Sequence, residues 1–218
     1  MVNKLQKIVL DNLAFLIPWI VFEVAAIIII FSNNRFELHL LLNSLHNPTL
    51  DKLFIIITEL GSGLAVLLVF LTLLFFNIKN ALFVGLSGLF SGLTTQFFKR
   101  VIFNDYMRPA AFIEKMPNLQ FVDGVDLHHA FSFPSGHTTS AFALLFSISV
   151  LSKNKIVKII CFATAVLIAY SRIYISQHFI NDIVAGSFVG VIITFVMALM
   201  IFSKRCDKLN RPLIKRKE

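Results

Sequence analysis

The sequence predicts an all-α, polytopic membrane protein: six transmembrane helices in a bundle, with an extracytoplasmic active-site loop. Three observations predict it. Hydrophobic residues make up 57% of the 218 and charged residues only 15%, against roughly 25% charged in a soluble domain. The apolar residues fall into six segments, most of them near the roughly 20 residues that cross a bilayer. The basic residues gather between alternate segments, which is a topology signal.

Residues 1–11 are polar, with Lys4 and Lys7. The first span covers about 12–32 and holds Pro18, Trp19 and Glu23. It is too long for a signal-peptide core, and no small-residue cleavage site follows, so it is expected to stay as a span. Residues 33–50 are polar; a short amphipathic helix fits 36–45, and Asn47-Pro48 breaks it. The second span covers about 51–76, with Glu59 and Gly61-Ser62-Gly63 inside it. A tight turn at 77–80 leads into the third, about 81–103, where Gly85, Gly88, Ser91 and Gly92 allow close helix contact. A polar loop covers 104–137. The fourth and fifth spans are about 138–152 and 156–172, and a short link, 173–178, precedes the sixth at about 179–203. Gly186 and Gly190 form a second small-residue pair there, and the tail 204–218 is basic. No repeat divides the chain, which reads as one domain, 1–218. Cys161 lies in an apolar segment and Cys206 in the tail, so no disulfide and no cysteine-based metal site are expected.

The net charge of +8 raises nucleic acid as a partner, but its distribution excludes that reading. The N-terminus, the 77–80 turn, the 153–158 turn and the tail hold 2, 1, 3 and 7 basic residues, thirteen of the 20 in the chain. These segments lie on one side of a six-span protein, so that side is cytoplasmic, with both termini. A DNA-binding face needs a soluble basic scaffold instead. All six histidines lie on the other face or at its boundary. The titratable chemistry is therefore collected on the extracytoplasmic side of the cell (inner) membrane.

Charge at a span's end is costly and asks for a reason. Lys99 and Arg100 end the third span, Arg108-Pro109 follows, and Arg172 ends the fifth. Pro134-Ser135-Gly136-His137 opens the fourth, where the N–H groups of a helix start form an anion cradle. His178 and Asp182, four apart, share a helical face. Each feature alone has a plain reading as an anchor, a turn or a cap. Together they make a phosphate site. Lys99, Arg108 and Arg172 suit phosphate oxygens, and Ser135 and Gly136 complete the cradle. Asp182 would orient His178 as a nucleophile, and His137 would serve as general acid. No His/Cys or acidic set has metal-ligand spacing, and neither a metal nor another cofactor is required.

These residues resemble the type-2 phosphatidic acid phosphatase superfamily, membrane lipid phosphatases related to vanadium haloperoxidases. The third family motif, Ser-Arg, five residues, His, three residues, Asp, matches Ser171-Arg172, His178 and Asp182. The second matches Pro134 to His137. The first, Lys, usually six residues, then Arg-Pro, departs: eight residues separate Lys99 from Arg108-Pro109. Lys99 is the preferred occupant of the lysine position and Arg100 the alternative. The motifs cover residues 99–182. The resemblance implies an all-helical bundle, a phosphohistidine at His178 supported by Asp182, protonation of the leaving group by His137, no metal, and inhibition by vanadate.

The expected partners are the bilayer and a lipid phosphate. Family members with this plan act on undecaprenyl pyrophosphate, phosphatidylglycerophosphate, phosphatidic acid or lipid A. In the 104–137 loop, His128 and His129 either contact a headgroup or are plain loop polarity, while Asp105, Asp123 and Asp126 disfavour a second phosphate. Glu23 and Glu59 either make packing hydrogen bonds or line a path to the site. The competing class is a transporter or flippase-like protein, which six spans with internal acids also permit; the cluster of cations favours phosphate chemistry.

Overall fold

The structure, a computed structural model, describes residues 3–202 and 208–213. Every regular element in them is helical. Helix α1 (Lys4–Asp11) is short and amphipathic, opened by an Asn3 capping box, where the sequence reads only as polar. The long helices are α2 (Leu13–Ser32), α6 (Ile78–Phe97), α8 (Lys155–Tyr174) and α9 (Ile180–Ile201). Each is long and apolar enough to cross a membrane, α6 together with the π-helical turn that extends it to Ile102. Ile17, Val21, Val24 and Ile28 stand exposed along α2, an outward apolar face that water would not tolerate and lipid does.

The second expected span is not one helix. It is α4 (Pro48–Glu59) and α5 (Gly63–Leu74), bent by 52°. Leu60 ends α4, and Ser62 caps α5 by accepting from the Ala65 N–H. Hydropathy runs smoothly through the break, so an average over the segment does not register it. The fourth expected span is α7 (Gly136–Leu151), whose 16 residues are fewer than a typical span. The expected 36–45 helix is α3 (Arg35–Asn43), capped by Asn34.

Short α7 is the core of the bundle. It packs against α6, α8 and α9, and Phe142 and Phe146 join Phe15, Ala165, Ala169 and Val191 in the largest apolar cluster. A side chain on Gly186 or Gly190 would fall 2.7 Å from the Ser135 carbonyl or 2.6 Å from that of Thr139. That pair therefore packs within the chain, setting α9 directly on the start of α7. Gly85 and Gly88 do the same for α5, against Phe70 and Val66, whereas Gly92 meets nothing. Glu23 is buried, and one of its oxygens accepts from Ser187, which also receives the Trp19 indole N–H at 3.2 Å. The packing reading of Glu23 matches this contact. Cys161 is buried and free; Cys206 lies outside the described residues.

The two ends of the bundle differ. At one, Lys158 is buried and donates to Asn12 at 2.7 Å, and the Ile78 N–H donates to Arg211. These contacts bring the N-terminal segment, the 77–80 and 153–158 turns and the described part of the tail, 208–213, to one end. The ends of α4, α6 and α8 and the starts of α7 and α9 meet at the other, beneath α3 and the 104–135 loop.

Candidate active site

At the end of α6 the helix loosens into a π-helical turn, Phe98–Ile102. Such turns recur at functional sites because the added residue re-aims side chains. Here Lys99 turns inward, 6% exposed, and its Nζ donates to the Phe131 carbonyl at 2.9 Å. Phe131 holds that carbonyl with a φ of 56°, a conformation costly for a side chain of its size. Arg100 points outward and bonds Gln96 Oε1 at 3.2 Å. Of the two candidates for the lysine position, only Lys99 enters the cluster. The π-turn and a turn at 104–105 span the wider gap to Arg108.

Arg108 is held by loop carbonyls and one side chain. Its Nε donates to Ala130 at 2.9 Å, and its Nη1 to the Gln177 side chain at 2.9 Å. Among the described residues nothing bonds Nη2. Burial lowers the Arg108 pKa, with the Asp182 charge opposing. Arg172, at the end of α8, donates from Nη1 to Thr58 Oγ1 at 2.7 Å, while its Nε is buried without a partner among the described residues. The bend after α4 places Thr58 there. A side chain on Gly61 would collide with the His137 carbonyl at 2.8 Å, so glycine allows that approach.

Ser135 is the N-cap of α7. Its Oγ accepts from the Thr138 hydroxyl at 2.9 Å and from the Thr138 N–H at 3.4 Å. With both of those bonds accepted, its own O–H remains available to donate. Gly136 follows, and a side chain there would touch only Thr95, at 3.9 Å. Packing therefore does not demand this glycine, and the space beside it is open for a ligand.

After α8 the chain turns sharply. The N–H groups of Gln177 and His178 both return to the Arg172 carbonyl, at 2.9 and 3.1 Å. Ser176 takes a φ of 54° in this turn, and Asn43 of α3 pins its hydroxyl at 3.0 Å. His178 is 1% exposed, with Nδ1 3.2 Å from Asp182 Oδ2. That oxygen also accepts from the Phe179 N–H at 3.0 Å and from the Ser132 hydroxyl. The Ser135 N–H donates to the Asp182 main-chain carbonyl at 2.9 Å, tying the second and third motifs together. Burial, then the charges of Arg108, Lys99 and Arg172, push the His178 pKa well below the usual histidine value. The shift favours the neutral imidazole.

All eight expected residues thus meet in one place. Four partners were missed from sequence: Ser132, Thr58, Gln177, and Arg35, whose guanidinium lies 3.7 Å over the Phe179 ring. Only Ser132 carried any signal, its closeness to Pro134-Ser135-Gly136-His137. His39 lies beneath the turn, 5.0 Å from Phe179, and burial and Arg35 push its pKa down to about 4. Two polar cavities flank the cluster. One, of about 340 Å³, is lined by Lys99, Arg100, Arg108, His128 and His129. The other, of about 240 Å³, is lined by Thr58, Glu59, Asp126, His137, Arg172 and Gln177. His128 borders both. An apolar groove of about 530 Å³ runs between α5 and α6, over Gly85, Gly88 and Gly92, as far as Ser140.

The family model of the PAP2 superfamily matches residues 80–206, which contain every expected site residue. The chain belongs to the PAP2 superfamily. A lipid A 4'-phosphatase of Porphyromonas gingivalis is 32% identical over 176 residues, 77% of this chain and 73% of that one. An undecaprenyl-diphosphatase of Bacillus subtilis, BcrC, is 29% identical over 172 residues, 78% of this chain and 81% of the relative. Among solved structures, Aquifex aeolicus LpxE superposes with a TM-score of 0.66 at 29% identity, over 76% of this chain and 94% of that one. A Bacillus subtilis PAP2-type phosphatidylglycerolphosphate phosphatase shares the fold, with a TM-score of 0.57 at 23% identity, over 87% and 95%. As a PAP2 member this chain is a membrane lipid phosphatase, a hydrolase rather than a transporter.

Proposed function

We propose that this PAP2 phosphatase hydrolyses the phosphomonoester or pyrophosphate of a membrane lipid through a phosphohistidine on His178. One observation carries the reading: the buried His178 imidazole, 3.2 Å from Asp182 and acted on by the charges of Arg108, Lys99 and Arg172. The bond to Asp182 occupies Nδ1 and leaves the Nε2 lone pair for phosphorus. Lys99, Arg108, Arg172, the Ser135 hydroxyl and the N–H groups after Ser135 hold the non-bridging oxygens, where charge accumulates. As the P–N bond forms, the P–O bond breaks, and His137 protonates the departing oxygen. The arriving phosphate supplies the negative charge that favours a protonated imidazole at His137. Water then attacks phosphorus and gives a proton to His137 as the P–N bond to His178 breaks, which releases orthophosphate and frees the imidazole. The fixed cations do the work of a metal, and none is required.

The substrate candidates are lipid A, undecaprenyl pyrophosphate, phosphatidylglycerophosphate and phosphatidic acid; the relatives' names carry the first three. The apolar α5–α6 groove, ending one helical turn from His137, supports a substrate with its tail in the bilayer. We also infer six crossings, with bent α4–α5 counted as one and α7 as another, both termini cytoplasmic and the site extracytoplasmic. The clustering of basic segments at the opposite end supports this orientation.

Purified protein in detergent micelles should release orthophosphate from at least one of the four lipids. Substituting His178→Ala should lower that rate by at least about 10³-fold. Vanadate should inhibit, and a chelator should leave the rate unchanged. A His178→Ala variant as active as the parent overturns the mechanism, and loss of activity with chelator overturns its metal-free form.

A further inference from the structure

The two cavities differ in charge and in whether they include His137. The larger is bordered by three cations and by no acid. The smaller has one cation, Arg172, and two acids, Glu59 and Asp126. A general acid must lie within hydrogen-bond reach of the leaving oxygen. His137 lines the smaller cavity and not the larger. On that mechanism the atoms beyond the scissile oxygen enter the space between Thr58, Glu59, Asp126 and Gln177, with Arg172 at its edge beside the phosphate and Lys99 and Arg108 on the side of the larger cavity.

The chemistry of that space selects what enters it. Carboxylates accept hydrogen bonds from hydroxyl groups and repel a second phosphate. The one cation present is already engaged: Arg172 donates to Thr58 at 2.7 Å and interacts electrostatically with Glu59. Its Nε is buried and, among the described residues, unpartnered, so Arg172 keeps one donor beyond its bond to Thr58. The Gln177 amide donates to the Asp126 main-chain carbonyl at 2.9 Å, which fixes the backbone of that wall. The volume of about 240 Å³ is far above the roughly 10–15 Å³ that admits one water. That is space for a glycerol or one sugar ring.

We propose that Glu59 and Asp126 make this cavity a leaving-group subsite for a hydroxyl-bearing headgroup, so that the enzyme prefers a phosphomonoester on a sugar or glycerol to a lipid diphosphate. The proposal rests on His137 as general acid, and so on the mechanism above. It gives Glu59 a function that a helix-packing acid lacks. It also limits the anticipated repulsion by loop acids to Asp126, since Asp105 and Asp123 do not line this cavity.

Lipid A, phosphatidylglycerophosphate and undecaprenyl diphosphate in mixed micelles test it, with the parent, Glu59→Gln and Asp126→Asn. The parent should show a higher kcat/KM on lipid A or phosphatidylglycerophosphate than on the diphosphate, and which of the two leads separates sugar from glycerol. Each variant should lose about tenfold in kcat/KM on that substrate and gain on the diphosphate. Opposite signs are a readout that misfolding does not produce. A parent that prefers the diphosphate, or variants that change all three substrates in one direction, overturns the subsite while leaving the phosphohistidine mechanism standing. Phosphate release from none of the three overturns the subsite, and release from none of the three nor from phosphatidic acid overturns the mechanism as well.

Discussion

Asp182 Oδ2 accepts three hydrogen bonds, from His178, Phe179 and Ser132. Such supporting bonds set a histidine's tautomer and angle, and losing one typically costs about 10–100-fold in activity. Ser132→Ala should therefore lower kcat by that order with little change in KM, measured with any turned-over lipid. His178 gives a pH prediction. Its pKa in the folded protein is depressed by burial first and by Arg108 next, so the nucleophile stays neutral as pH falls through the ordinary histidine range. The kcat/KM profile should show no loss from His178 near pH ~6.5. In Arg108→Gln the rate drops, and the acid limb should move to higher pH because the largest opposing charge is gone. A limb that stays in place would show that Arg108 does not act on His178. The sign for stability is the same. A folded-state pKa below the unfolded value stabilises above the unfolded value, and that stability is lost as pH falls through the folded one. His39, at about 4, behaves alike, so acid should weaken the fold under α3.

At the scale of elements, close packing of glycine sets where the motifs sit. A methyl group on Gly186 would lie 2.7 Å from the Ser135 carbonyl, which is backbone and cannot swing aside. Gly186→Ala should cost about 1–3 kcal/mol and push the start of α7 away from α9. The expected result is a lower melting temperature in detergent together with a lower kcat; an unchanged rate would mean that α7 can shift without harm. The helices and the motif residues were legible because a bilayer demands long apolar runs and a phosphate demands cations, and both leave marks on a sequence. The break between Glu59 and Gly63 was not: Gly61-Ser62-Gly63 is unremarkable in a membrane helix, and only the nearby His137 carbonyl shows why glycine is needed there. Nor were the supporting residues. Ser132, Thr58 and Gln177 are common polar types, and they lie 50, 114 and 69 residues from their partners. Single-sequence reading has no register for such pairs.

For the whole molecule, the contrast between its two ends is the main asymmetry. If the basic end is cytoplasmic, a cysteine at His129 should react with an impermeant maleimide added to intact cells, and one at Lys153 only after permeabilisation. The reverse pattern would invert the proposed orientation. The placement of His137 in a single cavity also has a kinetic consequence. If the proposed mechanism and subsite hold, water must approach phosphorus from the side that the leaving group vacated, the space of about 240 Å³. The dephosphorylated lipid and the hydrolytic water therefore compete for one location. Turnover becomes ordered: the lipid leaves first, water enters second, and orthophosphate departs last. Between the first two events the phosphorylated enzyme faces whichever hydroxyl compound occupies the vacated space, so any small alcohol that fits becomes an alternative phosphoryl acceptor.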